Sequence, residues 1–326
     1  MAMNFWEAQR KARSHTTFYM ILFFLLMFGV AYLSEVGLRT FAGDSYDPDF
    51  PYLGLAFVVV TCVVAGFNYT MYSSYGGVYV AEDAGGVRVP QNTTDPKLRQ
   101  LLNIVEEMSL AAGLPVPPVY IIQADQINAF AAGMTPENGA VAVTVGCLRK
   151  LNRDELQGVI AHELGHLYNR DSKVSLRVAA LVAGFFVLMY LGFRFLQFAP
   201  ARREGEKGPP VALIALIFIV AGAISWMAGK ILSACVSRER EYLADACSVQ
   251  FTRNPDGIVG ALKKIGQDQI SDMPKQGMAY QHLYFNDKSF LGDLLATHPS
   301  LDKRIEAITG HRYTFDNPPP GEHIPG

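Results

Sequence analysis

The chain has 326 residues, half of them hydrophobic and only 18% charged, with a mean hydropathy of +0.16, a balance that points to a membrane protein. A formal net charge of -2 and a pI near 6.4 leave no electrostatic basis for a nucleic-acid partner. Cys62, Cys147, Cys235 and Cys247 are scattered without a CxxC pair, so they read as free thiols rather than as a disulfide framework or a cysteine zinc site.

In chain order, four apolar segments begin at Thr17, Tyr52, Val178 and Val211. Each is close to the roughly twenty residues that a helix needs to cross a hydrocarbon core. The first is not a cleavable signal, because no small-residue cleavage site follows it and a second apolar segment soon does. Arg194 and Lys230 lie near segment ends, where long cationic side chains reach the headgroups. The N-terminal tail carries Arg10, Lys11 and Arg13, while the loop after the first span holds Arg39 among Glu35, Asp44, Asp47 and Asp49. The N-terminus is therefore expected on the cytoplasmic side, and Arg170, Lys173, Arg177, Arg238 and Arg240 place the flanks of the last two spans there as well. The loop "APARREGEKGPP" from Ala199 disagrees, because Arg202, Arg203 and Lys207 would lie outside if both late segments cross. Two readings of this hairpin stand: a full double crossing, or partial embedding.

Two polar blocks flank the hairpin, from residue 73 to about 173 and from 237 to 326. The first opens with a helix that has Asp95 as N-cap, Pro96 at its first position and Gly113 at its end. "VYIIQ", "NAFAAG" and "AVAVTVG" follow as short strands of a small sheet, the last with Val141, Val143 and Val145 on one face. A further helix begins after Asn152, with Glu155 three positions later as in a capping box.

That helix carries "HELGH". On a helix, residues four apart share a face, so His162 and His166 can reach one ion about 2 Å from their nitrogens. Glu163, one position round, falls outside the ligand set but near the water that such an ion activates, where a general base is needed. The competing reading is a chance match on a solvated helix face. A catalytic zinc needs a third protein ligand and an open fourth position. "SREREYLADA" offers Glu241 as that ligand, with Asp245 four residues on to accept the free ring N–H of a liganding histidine. Here the competing reading is an ordinary charged face beside Arg238, Glu239 and Arg240. If both motifs meet one ion, the hairpin between them must return to the side it left, which requires an even number of crossings.

Together "INAFAAG", "GAVAVTVGCLRKLNRDELQGVIAHELGH", "SREREYLADA" and "ATHPSLDKRI" resemble the HtpX and CAAX prenyl protease family of gluzincin metallopeptidases, over about residues 90 to 310. The four-span plan is closer to the bacterial HtpX branch, since the prenyl proteases build a larger chamber from more spans. The resemblance implies one Zn2+ on His162, His166 and Glu241, with Glu163 as general base and Asp245 behind a ligand. It also places "NAFAAG" near the cleft, so that Asn128, Ala129 and Phe130 are candidates for a strand that pairs with an extended substrate; a core role is the alternative. His298 is the candidate for stabilising the oxyanion, with Arg304 behind it, although His-Pro is equally a helix-start signal.

The expected fold is α+β: a mostly helical membrane metalloprotease with four transmembrane helices and a small zincin-type sheet beside the HExxH helix. Residues 1–72 hold the tail and the first two spans, 73–173 the first part of the catalytic domain, 174–236 the hairpin, and 237–326 the second part. The expected activity is zinc-dependent cleavage of misfolded or unfolded membrane proteins, from the cytoplasmic face of the cytoplasmic membrane. The alternatives are a selective processing protease for lipidated peptides and a catalytically silent, zinc-stabilised scaffold. "FDNPPPGEHIPG", from Phe315, is too rich in proline and glycine to pack.

Overall fold

The computed structural model describes residues 5–46, 48–74, 76–198, 211–268 and 298–314. The charged loop from Ala199 and the tail from Phe315 lie outside the described residues. Two compact units result, one from residues 16–74 and 175–236, the other from residues 1–15, 75–174 and 237–326.

The first unit is helical. It takes in most of α1 (Phe5–Ala42), α2 (Tyr52–Ser73), most of α7 (Asp171–Phe198) and the first part of α8 (Val211–Thr252). These are the helices among the described residues that are long and apolar enough to cross a membrane. Phe23, Met27, Phe57, Phe185 and Leu188 are buried, whereas Leu25, Leu33, Val63 and Phe67 face outward. An apolar exterior over an apolar interior suits lipid as the surrounding solvent. Small residues set the helix spacing: a Cβ on Gly192 would stand 2.8 Å from the Ala215 carbonyl oxygen, and one on Gly222 would stand 2.6 Å from the Met189 nitrogen.

The second unit is built on a sheet of β1 (Val87–Arg88), β2 (Val119–Ile122), β3 (Ala129–Ala132) and β4 (Ala140–Thr144), in the order β1-β2-β4-β3. β2 and β4 run parallel, and the two outer pairings are antiparallel. Side chains alternate across the sheet. Val119, Ile121, Ala129, Ala131, Val141 and Val143 join a core with α4 (Pro96–Ala112), α6 (Arg153–Asn169) and α9 (Pro255–Gln267). Tyr120, Ile122, Phe130, Ala140 and Ala142 pack on the other face with Ala81 and Ala84, at α3 (Gly77–Asp83). The three expected strands form, but β4 stops at Thr144, so Val145 does not continue the face of Val141 and Val143. Thr144 instead accepts the Cys147 N–H on its hydroxyl and starts α5 (Val145–Lys150). Helix α4 starts and stops as its end residues require: Asp95 accepts the N–H groups of Lys97 and Leu98, and Gly113 takes the left-handed conformation at φ 67°. The last described helix is α10 (Leu301–Thr309).

Candidate metal centre

Helix α6 is held from both ends and both sides. Asn152 Oδ1 accepts the Glu155 N–H at 2.9 Å and Glu155 Oε2 accepts the Asn152 N–H at 2.8 Å, closing the capping box. A Cβ on Gly158 would meet the Ile258 nitrogen at 2.5 Å, and one on Gly165 would meet Cys247 Cβ at 2.8 Å. Glycine at these positions lets α9 and α8 lie closer to α6 than a side chain would permit. Ser248 Oγ on α8 donates to the Gly158 carbonyl at 2.7 Å and fixes the register of that contact.

The Nε2 atoms of His162 and His166 stand 3.2 Å apart. Glu241 on α8 brings Oε2 to 3.7 Å from the first and Oε1 to 3.5 Å from the second. One donor atom from each residue lies within 4.8 Å of the others. Both Nδ1 atoms are taken up by carboxylates, His162 by Asp245 Oδ1 and His166 by Asp171 Oδ2, each at 2.9 Å. Each of those aspartates is held in turn by a buried arginine. Arg304 donates Nε to Asp245 Oδ2 at 2.9 Å and Nη2 to Oδ1 at 2.6 Å, while Arg240 donates Nη1 to Asp171 Oδ1 at 2.8 Å. Arg304 Nη2 also lies 3.3 Å from His162 Nδ1. The Asp245 carboxylate only accepts, so Nδ1 carries the proton towards it and Nε2 is left with the lone pair.

The other expected residues gather at the same place. Glu163 is buried, and its Oε2 accepts the Ala131 N–H at 2.8 Å. His298 brings Nδ1 to 3.1 Å from Glu241 Oε2, and Arg304 Nη1 stands at the same distance from that oxygen. Asn128 lies just before β3, and Ala129 and Phe130 within it, all three buried. Asn128 turns its carbonyl to the Thr144 N–H at 2.9 Å, so by the alternation of an antiparallel pair Ala129 and Ala131 turn their main chain outward. The strand position beside Glu163 is therefore Ala131, one beyond the residues singled out in the sequence.

Asp171 and Arg240 were not recognisable as site residues. Asp171 lies five positions after His166, off its face in a continuous helix, and reaches it because α6 ends at Arg170 with a left-handed φ of 56°. Arg240, counted above as an orienting surface charge, is buried against Asp171. Burial of Arg240, Glu241 and Asp245 also removes the reading of this stretch as a solvated face.

Burial, aided by the positive Arg304, pushes the His162 imidazole down to about 4 against the pull of Asp245, so the ring is neutral at pH 7. Burial also opposes the charged form of His166, but Asp171 and Glu241 outweigh it and hold that ring above its ordinary value. Glu163 is pushed up to about 8 by burial and by Glu241, with His166 and the Ala131 N–H pulling the other way. A divalent cation among these groups would compete for the lone pairs and favour ionised Glu163. The donor set fits zinc: two Zn–N bonds of about 2.0–2.1 Å at a tetrahedral angle separate the nitrogens by about 3.3 Å, close to the spacing found here. Glu241 Oε2 is buried, with Arg304 Nη1 and His298 Nδ1 each 3.1 Å away, so a cation held there would share this oxygen with those two groups.

A family model described as Peptidase family M48 matches residues 96–312. The chain belongs to peptidase family M48. Relatives include a Protease HtpX homolog of Streptococcus uberis, 33% identical over 276 residues that cover 77% of this chain and 92% of that one. A Protease HtpX homolog of Streptococcus agalactiae serotype III is 35% identical over 257 residues, covering 77% and 86%. Among solved structures, the crystal structure of S. mikatae Ste24p aligns with a TM-score of 0.46 at 16% identity, over 91% of this chain and 66% of that one. M48 peptidases are zinc metalloproteases, and this member carries the His/His/Glu group and four apolar helices of membrane-crossing length. It is a multi-pass membrane metalloprotease whose substrates are polypeptides.

Proposed function

We propose that the chain is a zinc endopeptidase that cleaves misfolded or unfolded membrane proteins at the cytoplasmic face of the cytoplasmic membrane. The observation that carries this reading is the hydrogen bond between Glu163 and Ala131, which joins a buried carboxylate beside the His/His/Glu group to the outward main chain of an edge strand.

His162, His166 and Glu241 would hold one zinc ion, which when bound polarises the scissile carbonyl and acidifies water. An extended peptide pairs with the outward carbonyl groups of Ala129 and Ala131, next to Asn128 and Phe130, since the N–H groups of the two alanines go to Asn128 Oδ1 and Glu163 Oε2. Recognition through the main chain asks little of the substrate's side chains, which suits clients exposed by unfolding. Glu163 takes the proton of the attacking water and passes it to the leaving amine. His298, whose Nδ1 stands 3.1 Å from Glu241 Oε2, is the candidate to stabilise the oxygen on which negative charge develops. Asp245, clamped by Arg304, holds His162 in the tautomer that presents Nε2. The clustering of Arg170, Lys173, Arg177 and Arg238 at the ends of the late spans supports a cytoplasmic site.

Substrate class is tested by offering zinc-loaded enzyme in detergent an unfolded membrane protein, the same protein folded, and a prenylated peptide. Cleavage concentrated on the unfolded protein is the expected result. Cleavage of the prenylated peptide alone would replace quality control with selective processing.

A further inference from the structure

Each ligand imidazole is backed by the same three-part arrangement, a histidine Nδ1 on an aspartate and that aspartate on a buried arginine. His162–Asp245–Arg304 is one, and His166–Asp171–Arg240 is the other. We infer that Asp171, anchored by Arg240, is a positioning residue for the metal site, setting the tautomer and direction of His166 so that its Nε2 faces the ion. This inference rests on the zinc reading of the site.

The second arrangement has more to do than the first. His162 is fully enclosed in the middle of α6, whereas His166 stands in the last turn with 18% of its side chain exposed. Packing therefore supports Asp245 in fixing the first ring, and the second depends more on its partner. Asp171 could not serve from a continuous helix, because residues five apart point about 140° away from one another around the axis. The left-handed turn at Arg170 ends α6, and the chain re-enters a helix at once, with Asp171 as the first residue of α7. A left-handed backbone is unfavourable for a residue other than glycine, and Arg170 adopts it here. The turn brings Asp171 within 2.9 Å of His166. Both carboxylate oxygens are then in use, Oδ2 on His166 and Oδ1 on Arg240, and Asp171 is buried. A carboxylate gripped from two sides has one orientation, and so does the ring it holds. Arg240 also precedes Glu241 directly, so the same ion pair ties the end of α6 to the segment of α8 that carries the remaining ligand.

A charged acceptor on Nδ1 makes the opposite nitrogen a stronger donor to a metal. Loss of such a partner typically weakens metal binding by about ten- to a hundred-fold. The test uses the full chain in detergent and measures zinc affinity by chelator competition, with the visible spectrum of the Co2+-substituted protein as a report on ligand geometry. Asp171→Asn is expected to bind zinc about ten- to a hundred-fold more weakly and to shift the Co2+ bands. Arg240→Gln is expected to act in the same direction but less, and the double variant to be no worse than Asp171→Asn alone, because Arg240 works through Asp171. A merely structural role would lower the melting point of the metal-free protein and leave affinity and spectrum alone. Should Asp171→Asn not fold, Arg240→Gln carries the test by itself. Variants that bind zinc as the wild type does, with unchanged Co2+ bands, would overturn the inference while leaving the zinc site standing. A wild-type chain that takes up no zinc would overturn the zinc reading, and this inference with it.

Discussion

Glu163 and Ala131 meet through a 2.8 Å hydrogen bond, the side-chain oxygen accepting from the outward N–H of an edge strand. The proposed base and the proposed substrate strand are thus one device, in which the strand sets the direction of the carboxylate. Ala131→Pro removes that N–H at a position that gives nothing to the β3–β4 ladder, where proline is tolerated. Peptidase activity should fall about ten- to a hundred-fold, the worth of one hydrogen bond to a charged group, with zinc content unchanged. Activity within twofold of wild type would separate the strand from the base.

Gly165 sits between the two histidines and lets α8 approach. Gly165→Ala puts a methyl 2.8 Å from Cys247 Cβ, and the overpacking should cost about 1–3 kcal/mol and weaken zinc binding as α8 moves away. Adding Cys247→Gly removes the opposing atom. The double variant should recover zinc affinity relative to Gly165→Ala; no recovery would mean that the close approach does not set the site.

Burial pushes the Cys147 thiol up to about 11, from an ordinary value of 9.0. Folded protein therefore holds this proton through a range in which unfolded chain has lost it. For a raised acid the contribution to stability is complete below pH 9 and is lost as pH rises to 11. The total is about 3 kcal/mol at roughly 1.4 kcal/mol per pH unit. Between pH 8 and 11 the wild type should lose stability more steeply than Cys147→Ala, as read from denaturant midpoints. Parallel loss in both would show that the thiol is not shielded.

Glu35 closes the first helical hairpin. Its Oε2 accepts the N–H groups of Leu53 and Gly54 at 3.0 and 3.2 Å, at the start of α2, and Oε1 pairs with Arg39 Nε at 2.9 Å. Glu35→Ala strips these buried donors of their acceptor and should cost about 1–3 kcal/mol, lowering the midpoint of unfolding in detergent. Glu35→Gln keeps an acceptor oxygen and should lose less. Equal losses would assign the effect to packing instead.

What the sequence discloses and what it hides divide along physical lines. Helix ends written in local chemistry could be read directly: Asp95 and Gly113 bound α4, and Asn152 with Glu155 starts α6. Apolar length marks the four helices long enough to cross a membrane, and the spacing of His162 and His166 marks a helix face able to hold a metal ion. Glu241 could be read only by pairing its motif with HELGH, since a lone carboxylate on a charged helix has no distinguishing mark. Asp171 stayed hidden because its approach depends on a left-handed turn at an arginine, a conformation that sequence favours for glycine or asparagine. Arg240 reads as a headgroup-facing charge, as a basic residue at the end of a span ordinarily is, but it is buried and paired with Asp171. Apolar alternation assigns Val145 to a strand, but the Thr144 side chain accepts the Cys147 N–H and begins a helix there.

Glu163 is the residue proposed to move the proton in hydrolysis at this site. The most direct test compares wild type with Glu163→Gln at equal measured zinc content, on an unfolded membrane protein in detergent. Cleavage by the wild type is expected, with a loss of about a hundred- to ten-thousand-fold in the variant and zinc retained by both. Comparable rates in the two proteins would contradict it.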